Sequence, residues 1–170
     1  MFSQLRAAFF ALVIAALIAA PPADRARAQA ASNQCGDPSN PYAEVQIDAL
    51  PRISLQLART EAEREQGLMY VQNMPADNGM LFVYAAPSRE AYWMYHTLIP
   101  LSIAFIDRDG TIVNILEMPV LNNPDDVQEA SRTVYDPGVP YWYALEVNEG
   151  WFVHNGVGIG QQMVFCLGGA

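Results

Sequence analysis

The chain has 170 residues, 52% of them hydrophobic, and a formal net charge of −9 from eighteen acids and nine arginines with no lysine. That apolar share at that length allows one domain with its own buried core. That charge excludes nucleic-acid or anionic-lipid surfaces as electrostatic partners, since both need clustered Lys and Arg.

Residues 1–30 read as a cleavable secretory leader. Arg6 gives a positive start, Ala7 to Ala20 form an uncharged apolar run, and two A-x-A patterns offer cleavage after Ala28 or Ala30. The run falls short of the roughly 20 residues that a membrane-spanning helix needs. The expectation is a periplasmic or secreted protein with no stable membrane insertion after cleavage. Loss of Arg6, Asp24, Arg25 and Arg27 leaves six arginines against seventeen acids, a charge of about −11. Residues 31–43 have linker chemistry, with Ser, Asn, Gly, Asp and Pro. Residues 44–167 then form the single expected domain. Cys35 precedes it and Cys166 lies near its C-terminal end, and exported thiols tend to pair, so a structural disulfide is expected. No C-x-x-C spacing suggests a redox pair.

Along the domain, Ile53, Leu55 and Leu57 alternate with polar residues and predict a half-buried strand. Thr60-Glu61-Ala62-Glu63 fits a capping box that opens a short helix to Gln66, with Gly67 as its stop. Strands are expected over Met80–Tyr84, Ala91–His96 and Leu98–Asp107, with Pro100 at a strand start or bulge. Asp107-Arg108-Asp109-Gly110 predicts a hairpin turn into a strand over Thr111–Met118. Pro119–Arg132 reads as a long surface loop. Thr133–Tyr135, Tyr141–Val147 and Met163–Leu167 read as strands, with one helical turn between Glu149 and Asn155. The pattern predicts an α+β fold, a mostly antiparallel β-barrel-like or strongly bent sheet with one or two short helices.

Five motifs recur in a fixed order. They are Thr60-x3-Arg64-x2-Gly67-Leu68-Met69, Met74-Pro75-x-Asp77-x-Gly79-Met80-Leu81-Phe82-Val83, Trp93-Met94-x2-Thr97-x2-Pro100-Leu101, Phe105-Ile106-Asp107-x-Asp109-Gly110 and Ala144-Leu145-Glu146-Val147-Asn148-x-Gly150. Together they resemble the domain of unknown function 192 (DUF192) family of bacteria and archaea over roughly residues 44–167. The resemblance implies a small β-rich fold and no established activity. Tyr95 and His96 stand where that family usually has Lys and Asn, Ser102 where an Asp is common, and Gln161 where an acid is frequent.

Three constellations could carry chemistry. Glu146 lies inside an apolar strand and points opposite to Leu145 and Val147. A charge there is rarely buried unless paired. It is either a structural partner of Arg64, a charge on a solvated outward face, or part of a ligand pocket with Arg64, Trp93, His96 and Thr97, in which Arg64 or Thr97 would hold an anionic or sugar-like ligand that Glu146 orients. Met94 and His96, on one face of an expected strand, are weak candidates for Cu(I) in an exported protein, against the commoner use of Met as core filler. Tyr92, Trp93, Tyr95, Tyr141, Trp142, Tyr143 and Trp151 could stack on sugars or pack across strands. A hydrolase of envelope carbohydrate would need paired carboxylates, Glu146 with Asp77 or Glu63. Nucleophile-elbow, zinc-protease and phosphate-loop signatures are absent from the sequence. The expectation is a non-enzymatic small-ligand-binding or envelope accessory module without cofactor, its partner a small molecule or an envelope protein.

Overall fold

A computed structural model describes residues 53–165 in full, with the backbone alone for Ala43–Gln46 and Cys166. The expected leader, the expected linker as far as residue 42, and Cys35 lie outside the described residues, as does the expected disulfide. The elements are β1 (Ala43–Gln46), β2 (Ile53–Ala58), α1 (Glu61–Gln66), β3 (Asn78–Ser88), β4 (Tyr92–Trp93), β5 (Leu101–Ile106), β6 (Ile112–Met118), α2 (Val127–Arg132), β7 (Val134–Tyr135), β8 (Tyr141–Asn148), α3 (Trp151–His154) and β9 (Val164–Cys166).

Seven strands form one sheet in the order β6-β5-β8-β3-β2-β1-β9, and β4 pairs with β7 separately. Only β2 and β3 run parallel, because α1 carries the chain back to the start of the sheet between them. The two ends of the large sheet meet at one rim through a single bridge, Thr111 to Gln162. There the Met163 N–H donates to the Gly110 carbonyl at 2.8 Å. The sheet therefore bends strongly without closing. This is the expected α+β architecture.

Strand periodicity splits the core in two. Leu55, Leu81, Leu145 and Val147 join Trp151 and Phe152 in one cluster. Phe82, Met94, Phe105, Tyr141 and Ala144 build the other. β5 is buried at every position, and all of its residues but Ser102 are apolar. No described helix is long and apolar enough to cross a membrane.

Three expectations need correction. The loop expected over Pro119–Arg132 contains α2, whose N-cap Asp126 accepts the N–H groups of Gln128 and Glu129. Apolar periodicity is weak there, so the cap is its main signal. β3 runs on to Ser88 through an irregularity between Val83 and Ser88. The strand expected over Ala91–His96 stops at Trp93, because the chain turns at Met94 to Thr97 and His96 adopts φ 52°.

Candidate functional site

Glu146 sits mid-β8, opposite Met80 on β3 and Ile103 on β5. Its neighbours Leu145 and Val147 belong to the first core cluster. Alternation therefore turns Glu146 toward the second. It is 5% exposed. Burial pushes its pKa up to about 8. Among the described residues nothing hydrogen-bonds its carboxyl, yet no fully covered side-chain polar atom lacks a partner. The carboxyl oxygens consequently border open space.

That space is a cavity of about 30 Å³, enough for about two waters. The stretch Arg64 to Met69 at the end of α1 forms one wall, and Phe82, Tyr92, Trp93 and Tyr95 another, with Thr97 and Glu146 completing it. α1 is placed by the capping box read in the sequence. The Thr60 hydroxyl accepts the Glu63 N–H, and the Glu63 carboxylate accepts the Thr60 and Arg59 N–H groups at 2.8 Å each.

Four of the five candidate pocket residues, Arg64, Trp93, Thr97 and Glu146, line this cavity. The Arg64 guanidinium nevertheless serves neighbours other than Glu146. It donates to the carbonyls of Arg59 at 2.6 Å and Val83 at 3.3 Å and lies over the Tyr84 ring at 4.8 Å. A structural Arg64–Glu146 ion pair is thus not formed. Thr97 is buried, its hydroxyl donating to the Tyr95 carbonyl at 3.3 Å. Trp93 is 42% exposed beside Tyr95.

His96 lies outside the cavity lining. Its Nδ1 is 2.9 Å from the Asp125 carboxylate, and its ring stacks on Tyr70 at 4.7 Å. The Tyr70 N–H donates to the His96 carbonyl at 2.9 Å, so two residues in the left-handed region, Tyr70 at φ 64° and His96 at φ 52°, hold each other. Asn and His both tolerate that conformation better than most residues. Position 96, where the resembling family usually has Asn, is thereby explained by backbone demand. His96→Asn is expected to change stability by less than about 0.5 kcal/mol, and His96→Val to cost about 1–3 kcal/mol, in urea unfolding.

The expected shared face of Met94 and His96 does not exist. Met94 is fully buried in the second core cluster, while His96 faces Asp125. Among the described residues no three His, Cys, Asp or Glu gather as a metal site. The aromatic residues do not form one platform either. Tyr141 and Trp151 are buried, and Trp142 is covered by Arg108 at 5.0 Å. Asp77 and Glu63 do not line the cavity, but Glu65 does. The sequence reading missed Glu65, Met69 and Phe82. Only their closeness to Arg64 and Val83 in the motifs could have signalled them. Ser102 is buried, and its hydroxyl donates to Glu117 and accepts the Gly150 N–H at 2.8 Å. Ser102 and Glu117 together serve that turn.

The model of the DUF192 family, described as uncharacterised ACR, matches residues 43–165. A candidate transcription regulator from Sinorhizobium meliloti 1021 is 32% identical, with a TM-score of 0.62 over 73% of this chain and 92% of that one. A protein of unknown function from Novosphingobium aromaticivorans DSM 12444 is 28% identical, with a TM-score of 0.60 over 72% of this chain and 83% of that one. No curated protein matches.

Proposed function

The chain belongs to the DUF192 family, and on that footing we propose that it is an exported small-ligand-binding module of the cell envelope, with Glu146 at the centre of its site. One observation carries the reading. A carboxyl that is 5% exposed has no partner among the described residues and borders a cavity lined in part by aromatic rings. Burying an unpartnered carboxyl is costly, and a core role would be met as well by Leu or Met. Binding sites keep such groups because a ligand supplies the missing partner.

The leader over residues 1–30 supports export, and the acidic balance of the chain disfavours direct contact with nucleic acid. The regulator description of the Sinorhizobium relative would then reach this chain through ligand sensing and not DNA contact.

The hydrolase alternative draws on the raised pKa of Glu146, suited to a general acid, and on Glu65 in the same lining. Space speaks against it. About 30 Å³ takes a single functional group, not a glycosidic bond flanked by two sugar rings.

The test is an NMR titration of the mature domain with small amines, carboxylates, amides and polyols. Shifts confined to Tyr92, Trp93, Thr97 and Glu146 are expected from one class and should vanish in Glu146→Gln. Silence across all four classes would end the ligand-site reading. Export is checked separately by fusing residues 1–43 to alkaline phosphatase, which gains activity only outside the cytoplasm.

A further inference from the structure

We propose that the cavity takes a primary ammonium group, which pairs with the Glu146 carboxylate between the aromatic rings of Tyr92, Trp93 and Tyr95. This rests on the ligand-site reading above and names its ligand class.

The lining selects for a cation by what it offers and what it has already spent. The Tyr92 hydroxyl is engaged with the Tyr84 hydroxyl at 3.0 Å. The Thr97 hydroxyl is spent on the Tyr95 carbonyl. Arg64 is tied to two carbonyls and a ring. Among the described residues, the buried lining group left without a partner is the Glu146 carboxyl, with aromatic rings in the same lining. Ring faces are negative and attract cations, and carboxylate plus rings is how proteins hold ammonium groups. Glu65 adds a second carboxyl to the lining, and the chain's net charge of −9 draws cations toward it. An anion would meet two acidic side chains, Glu65 and Glu146, set against the one guanidinium of Arg64.

Volume narrows the class. About 30 Å³ accepts an –NH₃⁺ head and the first methylene. A quaternary ammonium, with methyl groups on every side, is too wide. Trp93 is both part of the lining and exposed, so the rest of the amine would emerge beside it.

Proton balance follows. Glu146 is mostly protonated at neutral pH, so the entering ammonium displaces that proton to solvent, and one carboxylate–ammonium pair forms. Affinity therefore rises about tenfold per pH unit until Glu146 ionises unaided, then levels off.

The experiment is isothermal titration of the mature domain with propylammonium, tetramethylammonium, acetate and propionamide, in buffers of differing ionisation enthalpy. Propylammonium should bind with release of about one proton at pH 6.5, tighten roughly tenfold between pH 6.5 and 7.5, and lose at least about tenfold affinity in Glu146→Gln. That variant is a neutral isostere, and its fold is checked by circular dichroism. Tetramethylammonium should not bind. If acetate or propionamide binds the wild type and is weakened in Glu146→Gln while propylammonium does not bind, the ammonium assignment is wrong while the ligand site stands. Propylammonium binding without proton release, or undiminished in Glu146→Gln, overturns the pairing with Glu146. Silence from all four probes overturns both.

Discussion

Glu146→Gln is expected to make the protein more stable than the wild type at pH 8 and above, by roughly 4–5 kcal/mol, with little difference near pH 4.5. The ordinary glutamate pKa of 4.5 rises to about 8 in the folded state because burial disfavours the anion. Between these values the folded chain holds a proton that the unfolded chain has released. Stability then falls as pH rises, at about 1.4 kcal/mol per pH unit. The protonated carboxyl's contribution is fully present below 4.5 and is lost as pH passes through about 8. Glutamine cannot ionise, so its curve should lack this slope. Two other groups tilt the curve the opposite way. Backbone N–H groups hold Glu63 and Asp109 below their ordinary values, so what they contribute is lost only as pH falls through the acid range. The Glu146 slope is therefore read by urea unfolding between about pH 5 and 8. Equal slopes in both proteins would mean that Glu146 is hydrated or paired in solution, and the unpartnered carboxyl would be lost as an argument.

A wild type less stable than its own isostere connects stability to function. An ionisable group that weakens the fold across the neutral range is the kind of stability cost that recurs where a position serves function. An ammonium ligand would recover that loss by giving the carboxylate its partner. Ligand binding and the pH dependence of folding are then two readings of one group.

Residues whose role is local were legible in the sequence. The capping box at Thr60, the Gly67 stop, the hairpin turn at Gly110 and the alternation of Ile53, Leu55 and Leu57 are set by neighbours within a few positions, and the structure has all of them. Glu146 was also legible, as a charge in an apolar strand whose direction follows from period two. What Glu146 faces was not, because that depends on α1 and on the chain after β4, brought together only by the sheet. His96 shows the limit most clearly. Strand alternation placed it with Met94, but the left-handed turn at His96 cancels alternation, and a His, though enriched in that conformation, is too common elsewhere to announce it. α2 escaped for a related reason. With only Ala130 buried, it has almost no apolar stripe to read.

Gly79→Ala should cost about 3 kcal/mol or more, the second large effect, and should also disturb the site. Gly79 pairs with Val147 in the β3–β8 ladder and with Leu55 across the parallel β2–β3 pair. A Cβ there would overlap the Glu146 carbonyl oxygen, and would stand 3.0 Å from Leu55 Cδ2 and 3.1 Å from Val147 Cγ1. The first of these is backbone in the middle of the sheet and can yield only by breaking ladder bonds, so overpacking strain and lost hydrogen bonds add. At Gly138 and Gly150 an added Cβ meets nothing within 4 Å, and the cost is confined to their left-handed backbone. Urea unfolding of the three alanine variants separates the two causes, with Gly79→Ala the worst expected. Because the displaced carbonyl is that of Glu146, β8 should shift at that residue and admit water to its carboxyl. The pH slope of stability between about 5 and 8 should then shrink in Gly79→Ala and stay intact in Gly138→Ala. A full slope in a destabilised Gly79→Ala would mean that β3 moves and β8 does not, leaving Glu146 buried through the second core cluster alone.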